Sequence, residues 1–299
     1  MQTSIIIVNY NTKEFLFNCI TSIYKNTIDI EYEIIVCDNA STDGSIEMIR
    51  ANFPNVILIE NKENIGFGSA NNRCLAIAKG KYIFYLNSDT ILLNNAVKLF
   101  FDYFETHNDT QMLGALGCNL LNENHEIIHS YGDFPDYKKT IMHFEWLVTT
   151  VAVKTFFFIL HISIKMRKQK SKKTTGEISG YITGADLFVK NNKYAYFDED
   201  FFLYYEEADL QHRMMSDNKK RVIIEGPKII HLNSGSNKDN KFFYRHFSFS
   251  VIQSYISSII YFKKRGENCR ILKLLIIILL SNPLVIKNTY PYIKQIKKL

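Results

Sequence analysis

The first third of the chain alternates between short β-branched runs and segments in which apolar residues recur at helical spacing. Ser4 to Val8 predicts a strand, and Thr12 opens a segment with the apolar spacing of a helix. The same alternation predicts further strands and helices at Glu33 to Cys37, Asp43 to Ala51, Val56 to Ile59, Ser69 to Ala78 and Tyr82 to Leu86. Alternating β and α units predict an α/β fold with a mostly parallel, doubly wound, Rossmann-like sheet.

Polar clusters follow three of these predicted strands. They are Asn9 to Asn11, Asp38 to Gly44 and Asn87 to Asp89. In doubly wound sheets ligands bind outside the carboxyl ends of the strands, so the three clusters are expected to converge on one binding edge. Taken alone, the second cluster is more typical of a turn in which Ser41 or Thr42 caps the following helix, and the presence of all three clusters favours the binding edge.

The second half of the chain has a different pattern. Short apolar pieces separated by polar turns predict mixed strands at Leu113 to Leu121, Ile127 to Tyr131, Tyr181 to Val189 and Arg221 to His231. Between them, Trp146 to Ile164 is almost wholly apolar, and Lys165 to Lys173 carries six basic residues and no acid.

Composition narrows the class of protein. The chain has 299 residues, of which 46% are apolar, enough to bury a large core. Its five cysteines form no CxxC pair, which argues against a disulfide scaffold or a structural zinc site and favours a reducing cytoplasm. The N-terminus shows no basic leader or cleavage-like site. The net charge of +6 comes without a basic, aromatic-interleaved motif, so no nucleic-acid partner is expected.

Several motifs in order carry a family resemblance. SIIIVNYN, DNASTDGS, ENIGFGSANN, YIFYLNSD and FDEDFFLYYEEADLQHR are followed by KIIHLNSGS, and together they span Ser4 to about Ser236. In this order they resemble the bacterial glycosyltransferase family 2 enzymes, in the rhamnosyltransferase-like branch. The resemblance implies a GT-A fold, an inverting transfer and a divalent Mg²⁺ or Mn²⁺ ion. The fingerprints of dehydrogenases, P-loop kinases, zinc metalloproteases and serine esterases are missing from the sequence.

The resemblance also assigns donor-binding residues. Asp38 is expected to accept the N3 hydrogen of uracil or thymine, and Asn9 and Tyr10 are expected to contact base or ribose. The other positions expected to bind nucleotide or donor are Asn39, Gly66, Asn71, Asn72, Asn87 and Ser88. For the Gly66 to Asn72 segment, a helix start alone explains the residues as well.

The third polar cluster, Asn87-Ser88-Asp89, occupies the place of the family's Asp-x-Asp metal motif. Asp89 is its only carboxylate and is the predicted direct ligand, because hard cations prefer oxygen ligands and share them with substrate phosphates. Asn87 is expected to contact sugar or a bound water. His231 stands where relatives place a metal-contacting histidine, although a lone histidine at a strand end is often structural.

An acidic segment, Tyr204 to Leu210, is predicted to supply catalysis. An inverting transfer needs a carboxylate that takes the acceptor proton, and Glu207 aligns with the family's base, with Glu206 as its rival. Asp209 is expected to orient the site. The alternative is that these acids are enriched only because they favour the N-terminus of a helix.

The predicted domains are a catalytic domain at 1–240, with an apolar and basic insertion at about 140–175, and a helical segment at 241–299. Trp146 to Ile164 is long enough to cross a bilayer. A single crossing would separate motifs that must share one site, so two readings remain: a helix lying in the membrane interface beside anionic headgroups, or a buried cover helix. Ile271 to Ile286 is either a second interfacial anchor or a packing helix.

The predicted function is transfer of a sugar, with rhamnose favoured by the resemblance, from a UDP- or dTDP-sugar to a glycan acceptor. The acceptor is expected to be lipid-linked, and the protein to act in surface polysaccharide biosynthesis as a peripheral protein at the cytoplasmic face of the membrane. Two alternatives remain open from the sequence. One is a catalytically degenerate membrane partner that binds nucleotide without turnover, and the other is a nucleotidyltransferase.

Overall fold

The computed structural model describes residues 1–107, 109–159, 173–232 and 246–299. Its internal contacts divide the chain into two compact units. Unit 1 comprises Met1–Phe134, Lys170–Phe202 and Glu206–Ser236, and unit 2 comprises Pro135–Gln169, Leu203–Tyr205 and Asn237–Leu299. The predicted boundary at 240 and the predicted basic run, apart from Lys173, lie outside the described residues.

Unit 1 is built on a sheet of eight strands in the order β3-β2-β1-β4-β10-β6-β11-β8. The strands of the unit are β1 Thr3–Asn9, β2 Tyr32–Asp38, β3 Ile57–Glu60, β4 Tyr82–Asn87, β5 Thr90–Leu92, β6 Leu113–Cys118, β7 Tyr131–Gly132, β8 Gly176–Ile178, β9 Tyr181–Ile182, β10 Asp186–Lys190, β11 Lys220–Ile224 and β12 Ile229–His231. Strands β1 to β4 pair in parallel, as predicted, whereas β10 runs antiparallel between β4 and β6.

Helices cover both faces of this sheet. The helices of unit 1 are α1 Lys13–Asn26, α2 Ser45–Asn52, α3 Phe67–Leu75, α4 Ala96–Thr106 and α6 Glu206–Ser216. Side chains of β1 alternate between the faces: Ile5 and Ile7 join the core beneath α1, α2 and α4, while Ile6 joins the core beneath α3 and α6. All three side chains are completely buried, which explains the unbroken β-branched run. The predicted doubly wound α/β fold is confirmed.

Unit 2 is helical among its described residues. Its helices are α5 Tyr137–Ile159, α7 Phe249–Lys264, α8 Arg270–Leu280 and α9 Ile286–Lys298. α5 packs against α8, and the Asn282 amide after α8 donates a hydrogen bond of 2.7 Å to the Thr155 hydroxyl on α5. The predicted helical C-terminal segment is therefore confirmed. No helix within the described ranges has both the length and the apolar character needed to cross a membrane.

Candidate functional site

Asn9 and Asp38 form the centre of a polar cluster where β1 and β2 end side by side. The two residues are paired in the parallel register, and both are completely buried. The Asn9 amide nitrogen donates to Asp38 Oδ2 at 2.7 Å and to the Ser41 hydroxyl at 3.0 Å, and the Ser41 backbone N–H donates to Asp38 Oδ1 at 2.8 Å. One amide and one backbone donor therefore fix the orientation of the Asp38 carboxylate.

Thr12 connects this cluster to the end of β4. Its hydroxyl donates to Asn9 Oδ1 at 2.6 Å and lies 2.9 Å from the Ser88 hydroxyl oxygen. Tyr10, in the same loop, is half exposed. The structure thus brings together Asn9, Asp38 and Ser88, three residues predicted to bind the donor.

The capping alternative for the second cluster is wrong. Helix α2 begins at Ser45 after the N-cap residue Gly44, which is left-handed with φ of 81°, and the Ser45 backbone N–H donates to Asp43 Oδ1 at 3.1 Å rather than to Ser41 or Thr42. The Ser41 hydroxyl instead accepts from the Asn11 backbone N–H at 2.9 Å, and the Thr42 backbone N–H donates to the Asn11 amide oxygen at 2.8 Å. These residues tie the ends of β1 and β2 together.

Gly66 occupies a position that only glycine fits. Its φ is 89°, and a Cβ atom there would lie 2.4 Å from the Phe202 carbonyl oxygen. The neighbouring Phe67 backbone N–H donates to the same oxygen at 2.9 Å, and the Asn39 amide donates to the Gly66 carbonyl at 3.1 Å. The glycine loop therefore contacts both the end of β2 and the segment that precedes the predicted catalytic acids.

Asn71 and Asn72 use their side chains within the protein. The Asn71 amide donates to the Phe67 carbonyl one turn earlier, at 3.0 Å. The Asn72 side chain donates to the Phe197 carbonyl at 2.8 Å and accepts from the Phe197 N–H at 2.9 Å. These two residues are not joined to the cluster at the strand ends, and their contact with a donor stays a prediction.

Asp89 and His231 meet through the small β5–β12 sheet. β12 pairs antiparallel with β5, placing His231 opposite Thr90, and the Leu232 N–H donates to the Asp89 carbonyl at 2.9 Å. As a result His231 Nε2 lies 3.2 Å from Asp89 Oδ1, and the Asn87 amide nitrogen lies 3.4 Å from the same ring nitrogen. The Asp89 and His231 side chains are 14% and 15% exposed, so this cluster faces a partly open edge.

The chemistry of this cluster fits a divalent cation shared with a substrate. Within the described part of the chain, no cluster of three or more His, Cys, Asp or Glu residues could hold a metal by itself. Asp89 offers a carboxylate, His231 an imidazole and Asn87 an amide. Mg²⁺ commonly takes one or two carboxylates from the protein and the rest of its ligands from waters and substrate phosphates, so a small protein set suffices.

Helix α6 is anchored at the same edge of the sheet. The Gln211 side chain makes two hydrogen bonds with the backbone of Ile182, of 2.8 Å and 2.7 Å. A few residues later Asp186 begins β10 opposite Leu86, next to Asn87. Because β10 is antiparallel to β4, its start lies at the carboxyl end of β4, and α6 is held near the Asn87 cluster.

The three acids of α6 lie in different environments. Glu206 and Asp209 are buried, and Asp209 Oδ2 pairs with Arg213 Nε at 3.2 Å, which suits an orienting role. The Glu207 residue as a whole is partly exposed, but its carboxyl oxygen Oε2 is buried, and this burial raises the pKa of the carboxyl to about 7. Its Oε2 atom has no hydrogen-bond partner among the described residues. A carboxylate of this kind has a lone pair available and a pKa suited to taking a proton at neutral pH.

The sequence reasoning missed Asp186. This carboxyl is completely buried, its Oδ2 accepts from the Cys118 backbone N–H at 2.7 Å, and burial raises its pKa to about 7. The signal was a single acid directly before the apolar run Leu187 to Val189.

The left-handed backbone conformation directly before α6 was also not predicted from the sequence. Tyr204 and Tyr205 are left-handed, with φ of 67° and 71°, a conformation that costs a non-glycine residue about 1–2 kcal/mol. Within unit 2, the Ser257 hydroxyl donates to the Leu203 carbonyl at 2.9 Å, and the rings of Tyr205 and Tyr261 lie 5.3 Å apart. Both contacts from α7 hold the left-handed segment Leu203 to Tyr205 within unit 2.

Comparison with known proteins agrees with this architecture. The model of the family described as "Glycosyl transferase family 2" matches residues 4–166, which is more than half of the chain. A Bacillus spizizenii poly(ribitol-phosphate) beta-glucosyltransferase is 32% identical over 121 residues, covering 39% of this chain and 19% of that protein. An Escherichia coli UDP-Glc:alpha-D-GlcNAc-diphosphoundecaprenol beta-1,3-glucosyltransferase is 36% identical over 111 residues, covering 33% of this chain and 44% of that protein. The matches therefore span less than half the length of these two relatives.

Solved structures share the fold. A mannosyltransferase from Pyrobaculum calidifontis, in complex with GDP-Man and Mn²⁺, superimposes with a TM-score of 0.54 at 14% identity, covering 99% of this chain and 75% of that one. A TarS fragment from S. aureus in complex with UDP gives a TM-score of 0.51 at 14% identity, covering 100% of this chain and 87% of that one.

Proposed function

Because the chain belongs to glycosyl transferase family 2, we propose that it transfers a sugar from a UDP- or dTDP-sugar to a glycan acceptor with inversion at the anomeric carbon. Rhamnose remains the favoured sugar by the resemblance of the motifs. The proposed setting is surface polysaccharide biosynthesis at the cytoplasmic face of the membrane.

One observation carries this proposal. Asn87, Asp89 and His231 come together at the carboxyl end of β4, beside the Asn9–Asp38 cluster at the ends of β1 and β2. In this proposal Asp89 and His231 bind a cation on the diphosphate, and the buried Asp38 carboxylate next to them binds a pyrimidine base. A pyrimidine nucleoside diphosphate is the ligand that we propose here, with its base at the Asn9–Asp38 cluster and its diphosphate at the cluster of Asn87, Asp89 and His231.

The residues of the chain suggest a single displacement. The acceptor hydroxyl oxygen forms a bond to the anomeric carbon while the bond from that carbon to the diphosphate oxygen breaks. Glu207 takes the hydroxyl proton, and the nucleoside diphosphate leaves with the bonding electron pair. Asp209, paired with Arg213, holds the first turn of α6 in place, while Asn9 and Asp38 orient the base.

Asp89 and His231 would hold the cation, with Asn87 beside them. When bound, Mg²⁺ or Mn²⁺ would offset the negative charge that grows on the departing diphosphate. The Thr12 and Ser88 hydroxyls have a positioning role. They connect the cation cluster to the base cluster and fix the distance between the two.

A lipid-linked acceptor is proposed for this chain on the strength of a relative. The E. coli relative is named for a diphosphoundecaprenol acceptor. The basic run that was predicted to meet the membrane lies outside the described residues except for Lys173, which forms an exposed ion pair of 2.8 Å with Glu225.

The proposal is tested by following release of nucleoside diphosphate from a panel of UDP-, dTDP-, GDP- and ADP-sugars, with and without Mn²⁺. We expect slow, metal-dependent hydrolysis of one pyrimidine nucleotide sugar in the absence of acceptor. Binding without diphosphate release, even with a glycan acceptor present, would indicate a degenerate partner. Release of pyrophosphate from a nucleoside triphosphate and a sugar phosphate would indicate a nucleotidyltransferase.

A further inference from the structure

Helix α8 is apolar on two separate sides. Leu272, Ile276 and Leu279 are buried in unit 2, whereas Ile271, Leu274 and Ile278 are 58%, 58% and 46% exposed. At about 100° of rotation per residue, each set of three falls within a sector of about 60°, and the centres of the two sectors lie about 130° apart. A packing helix needs only the first apolar side, so the second requires a different explanation.

The exposed stripe lies in a strongly basic part of the chain. Residues 246–299 contain nine Lys or Arg residues and a single acid, Glu267. Helix α9 exposes Lys287, Lys294, Lys297 and Lys298, together with Ile286 and Tyr290. Helices that lie in a membrane interface have this composition, with exposed leucine and isoleucine accompanied by lysine and tyrosine.

The dimensions of α8 favour lying on a bilayer over crossing it. Its 11 residues extend about 16 Å, roughly half the thickness of a bilayer's hydrocarbon core. A second copy of this chain fits the stripe poorly, because pairing two such faces would bring two positively charged segments together. An anionic lipid surface supplies both the apolar layer and the opposite charge.

We infer that the exposed stripe Ile271, Leu274 and Ile278 of α8, with the lysines of α9, docks unit 2 on an anionic lipid surface. The apolar stripe enters the boundary between headgroups and acyl chains, and the lysines bind the headgroups. The inference rests on the proposed function for its biological meaning, because a lipid-linked acceptor is presented at such a surface. It also resolves the two readings of the Ile271 to Ile286 segment: α8 packs with one side and anchors with the other.

The test measures binding of the full chain to vesicles of phosphatidylglycerol and phosphatidylcholine by co-sedimentation, with pure phosphatidylcholine vesicles as reference. The variant Ile271→Ser/Leu274→Ser/Ile278→Ser should lower the partition coefficient by about 30-fold or more, because three half-exposed apolar side chains lose their transfer into the interface. Replacing Lys287, Lys294, Lys297 and Lys298 with glutamine should lower the partition coefficient by roughly 1000-fold at low salt and flatten its salt dependence.

A matched control removes exposed apolar side chains from unit 1. Ile28→Ser/Ile77→Ser/Leu99→Ser changes three residues that are 60%, 44% and 36% exposed, and it should bind vesicles as the wild type does. Thermal unfolding followed by circular dichroism verifies that each variant is folded. All the substituted side chains are exposed or half exposed, so the midpoints should move little.

Acceptor-free donor hydrolysis separates this inference from the proposed function. Vesicle binding that depends on the stripe supports the docking surface whether or not any nucleotide sugar is hydrolysed. The docking surface is overturned if the wild type hydrolyses a nucleotide sugar but does not bind anionic vesicles. It is also overturned if the stripe variant binds these vesicles as the wild type does. Neither result affects the transferase proposal. If the wild type is a dimer that does not bind vesicles and the stripe variant is a monomer, the stripe serves self-association. That result would also overturn the docking surface.

Discussion

Replacing Glu207 with glutamine should lower activity and raise stability at the same time. Glutamine keeps the shape and the hydrogen-bonding capacity of the side chain but cannot accept a proton, so sugar transfer should fall by roughly 10²–10⁴-fold. Donor and metal affinity should stay close to wild type, because Glu207 is assigned neither to the nucleotide nor to the cation.

The gain in stability follows from the pKa of the buried carboxyl. Burial raises this pKa from 4.5 to about 7, so between these pH values the folded protein holds a proton that the unfolded chain releases. The stability contributed by the protonated carboxyl is complete below pH 4.5 and is lost as the pH rises through 7. At about 1.4 kcal/mol per pKa unit the loss reaches about 3 kcal/mol, and partial exposure of the side chain reduces it to about 2–3 kcal/mol. Glutamine carries no charge to bury, so the variant should not suffer this loss.

Two assays check the prediction. Urea unfolding at pH 5 and pH 8 should show the variant more stable than wild type at pH 8 only, and wild-type transfer should rise with pH up to about 7, as expected for a base that must lose its proton. Glu206→Gln is the control, because adjacent helical residues diverge by about 100° and only one can face the anomeric carbon. If Glu206→Gln abolishes transfer while Glu207→Gln retains it, the two roles must be exchanged. Equal unfolding free energies at pH 8 would refute the burial argument.

Three further predictions concern the polar clusters at the strand ends and the loop at Gly66. Asp89→Ala should remove Mn²⁺-dependent binding of UDP or dTDP in calorimetric titrations, and an unchanged affinity would refute the metal assignment. Asp38→Ala should weaken pyrimidine nucleotides by about 1.5–3 kcal/mol and leave ADP binding nearly unaffected; equal losses for both would mean that the buried carboxylate only supports Asn9 and Ser41. Gly66→Ala should lower the free energy of unfolding by at least about 2 kcal/mol in urea titrations, because its Cβ would lie 2.4 Å from the Phe202 carbonyl oxygen. A Gly66→Ala protein as stable as wild type would contradict the close approach.

Local pattern predicted the first half of the sheet well. The strands and helices up to β4 match their predicted positions closely, because a β-branched run and a helical apolar spacing are both readable within a few residues. The insertion of β10 between β4 and β6 was not predicted, since antiparallel pairing between distant segments leaves no local signal.

The candidate site, like the sheet, could be predicted from the sequence only in part. The Asn87 to Asp89 cluster was predicted from its place after a strand, whereas the part played by Ser41 and Thr12 in joining the clusters depends on side-chain directions. The left-handed pair Tyr204 and Tyr205 carries no sequence signal, because tyrosine is an unusual residue in that conformation. Helix α8 shows a further limit: when both sides of a helix are apolar, periodicity cannot say which side is exposed.

The short β5–β12 sheet determines where this chain can change in length. Ile230 is fixed twice, by pairing with Ile91 and by a bridge to Leu121, and His231 follows it directly. One residue inserted between Ile229 and His231 would turn the imidazole to the other face of the sheet, away from Asp89. The same insertion between Glu225 and Gly226, which are both exposed, would leave the ladder in place, because Lys228 keeps its hydrogen bonds with Leu93 and Asn94. Homologous chains that keep this histidine should therefore vary in length before Ile229 and keep a constant spacing from Ile229 to His231.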